Sequence, residues 1–377
     1  MPLPSSSFTI LGAGLMGRLL AVELARQGHR VDIYDAGGPA AEHSAATVAA
    51  AMLAPLAESA ITEPGVVRMG HYALPRWQQI LASLPEPVFF QQAGTLIVWH
   101  RQDIAEAQRF TKVLEANQRT TPELPALQKL DSTALAAAEP ALAQRFAQGL
   151  YLPGEGQLDN RQLLAALVTE MQRLGVQVHW GTSRTPQEFQ PGTPGQPDWL
   201  LDCRGLGARM DWTHLRGVRG EVVRLHAPGV TLQRPTRLVH PRYPIYIAPK
   251  ENNVFVIGAT EIESDDMSAA SVRSTLELLS AAYAVHPGFA EARVIEMATQ
   301  CRPTLPDNLP AIRQPSPRVL EVNGLYRHGF MISPAMLDVT MEILNTGQSA
   351  LSQRFDLRLE LQQEPHKAPA STAPALA

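Results

Sequence analysis

The chain has 377 residues, 45% of them apolar, and a formal net charge of −4. That length and apolar share allow a large core and two intertwined domains, while the charge leaves no basic footprint for nucleic acid. Two cysteines, Cys203 and Cys301, are too few for a disulfide framework and suit a reducing cytosol, and no run approaches the ~18 apolar residues of a membrane span, so a soluble cytoplasmic protein is expected.

Residues 8–35 read FTILGAGLMGRLLAVELARQGHRVDIYD. Phe8, Ile10 and Leu11 form an apolar run of strand type, and Gly12, Gly14 and Gly17 follow in the spacing G-x-G-x-x-G, where that strand turns into a helix. Gly12 suits the tight turn, Gly14 lets backbone approach a pyrophosphate at the helix N-terminus, and Gly17 lets helix pack on strand. Met16, Leu20 and Leu24 share one side of the helix, Gly28 stops it, and a second strand at 30–34 ends in Asp35, placed to bind ribose hydroxyls. An ordinary βαβ unit is the plainer alternative. A secretory signal fails because Arg18 and Glu23 interrupt the run and no basic segment precedes it.

The small-residue run 45–56 has two readings: a buried Ala-rich helix, or a chain that passes beneath a dinucleotide, where larger side chains would collide with it. A helix is expected over 65–81. Pro85 and Pro87 mark a passage into a second domain, and 87–100 reads as a hairpin around Gly94. Helices are expected at 104–117, 131–138 and 160–174, the last ended by Gly175 and followed by a strand at 176–180. The prolyl segment 185–197 is an exposed loop. Trp199, Leu200 and Leu201 form a buried strand that runs into a second glycine turn at Gly205 and Gly207.

Alternation at 221–225 opens an antiparallel sheet that continues through 246–249 and 254–260, with Asn252 and Asn253 as the turn. A helix at 271–285, a strand at 293–299, the segment CRPTLPDNLP, a strand at 319–322, the turn NGLYRHG and a helix at 334–344 complete the order. The tail 363–377 is Pro and Ala rich and reads as disordered. The fold class expected is α/β, α+β overall: a Rossmann-like dinucleotide-binding domain from 1–85, 147–215 and 318–362, and an antiparallel-sheet substrate domain from 86–146 and 216–317.

Taken together, GAGLMG, SAATVAAAMLAP, YIAPK with VFVIGAT, RPTLPD and NGLYRHGFMISPA resemble the flavin-dependent D-amino-acid oxidase superfamily, and within it the glycine oxidases of the thiamin pathway. The resemblance implies noncovalent FAD. Its pyrophosphate and ribose would lie on Gly12, Gly14, Gly17 and Asp35. Ser44, Thr47, Ala49, Ala51 and Met52 would run along it, with Met52 near the ring and Ala51 where relatives commonly carry glycine. Backbone of Arg184 would meet the adenine, Gly205 would add to the bed, and Arg327, His328, Gly329, Phe330, Met331 and Ile332 would pass below the flavin.

The same resemblance implies that Arg302 grips the substrate carboxylate through two parallel hydrogen bonds, that the Tyr246 hydroxyl adds a third contact, and that Arg327 is a second basic residue at the flavin end. Read without it, Arg302 is a surface ion pair and Tyr246 a core aromatic. The implied reaction is oxidation of glycine or a small amino acid to the imino acid, by hydride transfer to flavin N5, with oxygen reduced to hydrogen peroxide. No general base and no metal is expected, and a homo-oligomer is left open. A D-amino-acid or sarcosine oxidase, a dehydrogenase passing electrons to a quinone, and a nicotinamide enzyme remain alternatives. Besides Ala51, two residues stand out against the pattern. Glu261 replaces an apolar residue and is expected to face water or be paired, because a lone carboxylate is costly in an apolar pocket. Cys301 is expected to be a small buried hydrophobe that leaves the flavin unbonded.

Overall fold

The computed structural model describes residues 5–241 and 244–362; the expected tail lies outside them. The strand Ser7–Leu11 forms the centre of a seven-stranded sheet. It pairs in parallel with Arg30–Tyr34 on one side and Trp199–Asp202 on the other. Beyond these lie Gln177–His179 on one flank and Val319–Asn323, Ala311–Ser316 and Arg358–Glu360 on the other. The near-continuous apolar character of the central strands follows from helices on the sheet: Leu15–Arg26 packs with Asn160–Arg173 and Gly329–Thr346. Asp159 starts the helix Asn160–Arg173 by accepting from the backbone N–H of Arg161 and Gln162, both at 2.9 Å.

The second large sheet has eight strands, and its sequence from one edge is Arg293–Thr304, Arg216–His226, Val254–Gly258, Ile245–Pro249, Thr236–Leu238, Thr95–Val98, Gln148–Leu152 and Gln128–Asp131. The Asn252 and Asn253 turn holds φ of 57° and 58°, a conformation that asparagine tolerates better than most residues. A small three-stranded sheet joins Met52–Leu53, Gly156–Leu158 and Phe90–Gln91.

Several expectations need correction. Residues 87–100 are no hairpin: Phe90–Gln91 pairs with Gly156–Leu158, whereas Thr95–Val98 pairs with Gln148–Leu152 and Thr236–Leu238. Gly94, at φ 77°, turns the chain from one sheet into the other and packs so close to Tyr151 that a Cβ would lie 2.3 Å from its ring. The strand expected to stop at 299 runs on through Pro303, which its place on the sheet edge permits, since a missing N–H costs little there. The helix expected from 334 begins at Gly329. Pro334 cannot donate to Phe330 O, and the indole N–H of Trp77 donates to that oxygen instead, at 2.8 Å. Gln148–Leu152 and Ala311–Ser316 each join the sheet opposite to the one that the drawn domain bounds imply. No helix among the described residues is long and apolar enough to cross a membrane.

Candidate active site

Strand order reverses at Ser7–Leu11, and in open parallel sheets the crevice at such a point takes ligands. Here it is a continuous cleft of about 530 Å³ that extends from Asp35 to Arg302. The helix Leu15–Arg26 points its N-terminus into it. Gly14 caps that helix with backbone alone and no acid occupies the first turn, so its free N–H groups and positive end are left for an anion.

Two of the three fingerprint glycines are required by space, and the third, Gly14, sits in a tight place. A Cβ on Gly12 (φ 90°) would lie 2.7 Å from Cys203 O, one on Gly14 3.1 Å from Ser44 Oγ, and one on Gly17 1.9 Å from Gly12 O. Gly17 therefore sits under the turn rather than in the cleft wall. Asp35 lines the cleft, and its carboxylate accepts from the N–H of Ala13 at 2.6 Å and of Gly37 at 2.7 Å.

Of the two readings of 45–56, the bed is the one the geometry matches. Helix is confined to the turn Ala45–Val48 and the start of Pro55–Glu58, with an extended stretch between them, and Ser44, Ala49, Ala51 and Met52 line the cleft. Ala51 is buried at φ 52°, the left-handed region that glycine occupies without strain. Thr47 turns away; its hydroxyl donates to Ala41 O and its carbonyl accepts from Asn160. Lys250 fastens the bed from below, with Nζ donating to Ala50 O at 2.9 Å, Leu158 O at 2.7 Å and Gln157 Oε1 at 3.0 Å.

At the Asp35 end, the Arg184 guanidinium lies 5.7 Å over the Tyr34 ring and pairs with Glu188 at 2.7 Å. Gly205 is in the wall too, its carbonyl held by Asn323. At the other end Arg327, His328, Gly329, Phe330 and Met331 line the cleft where the helix Gly329–Thr346 begins, whereas Ile332 is fully buried in the core. A glycine-walled trough between two helix N-termini, bedded on small residues and bearing an acid at one end, fits a flavin dinucleotide.

Arg302 and Tyr246 come from strands of the eight-stranded sheet that are separated by Arg216–His226 and Val254–Gly258, and both line the cleft at the Arg327 end. Arg302 is no surface ion pair. Its guanidinium donates to Thr260 O at 3.1 Å and Arg219 O at 3.3 Å, and among the described residues no carboxylate reaches it. Burial raises the pKa of the Tyr246 phenol, which keeps it a hydroxyl at neutral pH, and lowers that of Arg302, although a guanidinium is too strong a base to lose its charge there. Neighbouring glycines make room for both. A Cβ on Gly220 would lie 2.4 Å from Arg302 Nη2, and one on Gly258 2.6 Å from the Tyr246 oxygen.

Arg327 is doubly paired, to Glu58 (Nε to Oε2, 3.2 Å) and Glu261 (Nη1 to Oε2, 2.6 Å). Glu261 also accepts from the Tyr326 hydroxyl at 2.6 Å, so it is paired, as expected of a carboxylate there. Burial alone would raise the Glu58 carboxyl, but Arg327, Arg237 and His328 hold it below the usual range. Burial brings His328 down to about 4, so it is neutral at pH 7. Cys301 alternates away from Arg302, with Sγ 3.7 Å from the carbonyls of Ser264 and Asp266, and burial raises its thiol.

Glu58, Arg237, Gly220 and Gly258 are site residues that reading the sequence missed. Glu58 had a signal, as the first charge after the uncharged run 44–57. The glycines had none, since their partners are set by register across strands.

The FAD dependent oxidoreductase family matches residues 7–342. A protein described as a thiamine biosynthesis oxidoreductase, ThiO, of Rhizobium etli is 40% identical over 91% of this chain and 98% of its own length. The glycine oxidase of Geobacillus kaustophilus is 26% identical over 92% of this chain and 94% of its own. A solved glycine oxidase from that organism superposes with a TM-score of 0.76 at 23% identity, covering 94% and 99% of the two chains. The chain therefore belongs to the FAD-dependent oxidoreductases of the D-amino-acid oxidase family, an FAD enzyme akin to ThiO and glycine oxidase.

Proposed function

We propose that this enzyme is a cytoplasmic glycine oxidase that converts glycine, or another small amino acid, to the imino acid and passes the electrons to oxygen. The observation that carries this reading is Arg302: a guanidinium facing the cofactor cleft, held by two carbonyls and paired with no carboxylate among the described residues. Its remaining donors suit a substrate carboxylate, which a planar guanidinium can take in two parallel bonds. The Tyr246 hydroxyl, which bonds to no described residue, supplies a further donor to the same anion. Bound noncovalently, FAD would accept a hydride from the substrate Cα and be reoxidised by oxygen, giving hydrogen peroxide.

The protein's share is positioning. Arg302 and Tyr246 fix the carboxylate, and the rigid sheet beneath them sets where the Cα hydrogen points. The amine must arrive neutral. His328, brought down to about 4, is too weak a base to take a proton from an ammonium, and Glu58 is occupied by two arginines, so the amine proton passes to water. With Cys301 turned to backbone carbonyls, a bond to the cofactor is not expected. Peroxide release from glycine in air tests the activity. Arg302→Ala should raise KM for glycine about a hundredfold with FAD content unchanged; unaltered kinetics would reject the role of Arg302.

A further inference from the structure

Resting on the amino-acid oxidase reading, we propose that Glu261 is a built-in carboxylate that fills the second acid position of the pocket, so that the site takes amines bearing one carboxylate and rejects those bearing two. Glu261 is held as a bound anion would be. Each of its oxygens takes one donor, Oε1 from the Tyr326 hydroxyl and Oε2 from Arg327 Nη1, both at 2.6 Å. Without it, Arg327 and Tyr326 would form a second guanidinium and hydroxyl pair beside Arg302 and Tyr246.

The backbone keeps Glu261 in place. Arg219 and Ile262 exchange hydrogen bonds at 2.9 and 3.0 Å, and the carbonyl of Thr260 accepts from Arg302 Nη2. The internal acid thus starts one residue from the anchor of the substrate-binding arginine. Charge reaches the same result. Arg302, Arg327 and Arg237 face Glu58 and Glu261, which leaves one positive charge for one substrate carboxylate. A second carboxylate would meet Glu261 directly, and exclusion by a like charge is an established route to selectivity.

The test compares wild-type holoenzyme with Glu261→Gln and Glu261→Ala. The Glu261 side chain is 47% exposed, so neither change threatens folding. Acetate and malonate, which cannot react, are titrated against the flavin absorbance, and glycine and iminodiacetate are compared as substrates. The malonate-to-acetate ratio of Kd should fall about tenfold or more in both variants, and kcat/KM for iminodiacetate should rise relative to that for glycine by a similar factor. If Glu261 only orients Arg327, all ligands weaken together and the ratio stays put, which overturns the proposal; so does the absence of any absorbance change with either acid. The binding ratio does not depend on turnover. An enzyme that bound acetate but was not reduced by glycine would refute the oxidase reading while leaving this one decided.

Discussion

Glu58 Oε2 lies 3.2 Å from Arg327 Nε, while Oε1 of the same carboxylate lies 3.3 Å from Arg237 Nη1. One half-buried acid therefore joins the end of the cofactor bed, through the short helix Pro55–Glu58, to the segment Tyr326–His328 and to the eight-stranded sheet. Without it two guanidiniums would repel each other at the wall of the pocket.

Glu58→Gln keeps the shape and removes the charge. The three side chains are only partly buried, so leaving the arginines without their partner should cost about 1–3 kcal/mol, and Arg327 would lose the contact that fixes its Nε edge. Urea unfolding should show that loss, and kcat/KM for glycine should fall by at least about tenfold, or ~1.4 kcal/mol. Stability equal to wild type would mean that the two arginines need no counter-charge.

Glu155 supports Glu58 from behind by accepting the Ala57 N–H at 2.8 Å. Burial pushes its carboxyl up to about 7 from an ordinary 4.5. Between those values the native state holds a proton that the unfolded chain has released, so stability falls as pH rises, by about 3 kcal/mol in total, and levels off above pH 7. In Glu155→Gln that slope disappears, because the amide can still accept from Ala57 but cannot ionise. Denaturation at pH 4.5 and pH 8 should show the difference between variant and wild type shifting by about 3 kcal/mol in the variant's favour; a constant difference would place the Glu155 ionisation elsewhere.

The cofactor half of the fold was legible because its signals are local. Strand, glycines, helix and acid lie within 8–35, and Gly12 and Gly17 are explained by the end of the strand beside them and by a neighbour close in the chain. The substrate half was less legible. Arg302 needs Gly220, and Tyr246 needs Gly258, through pairings that only the sheet register reveals. Pro303 and Pro334 misled for a related reason. Local rules treat proline as a stop, but an edge strand and the Trp77 side chain removed the penalty.

Ala51 tests the bed. At φ 52° an alanine bears a left-handed strain of about 1–2 kcal/mol, and glycine there gives back about 0.5–1 kcal/mol in chain entropy. Ala51→Gly should therefore leave stability within about 1 kcal/mol and keep FAD bound. Ala51→Val places a branched side chain at the same φ in the cleft wall and should purify largely without flavin. Equal flavin absorbance in the two variants would show that the cofactor does not lie against this residue.

Gly220→Ala tests the arginine without touching it. The new Cβ would stand 2.4 Å from Arg302 Nη2 and 2.6 Å from its Cζ, closer than packed atoms approach, so the guanidinium must move off the carbonyls of Arg219 and Thr260. Gly220 also lines the cleft, but at the Arg302 end, far along the wall from the fingerprint glycines. Flavin content should hold while KM for glycine rises about tenfold or more, the effect of misplacing a charged partner by about 1 Å. A fall in kcat with KM unchanged would mean that Arg302 acts after binding, and loss of flavin would mean that Gly220 belongs to the cofactor bed instead.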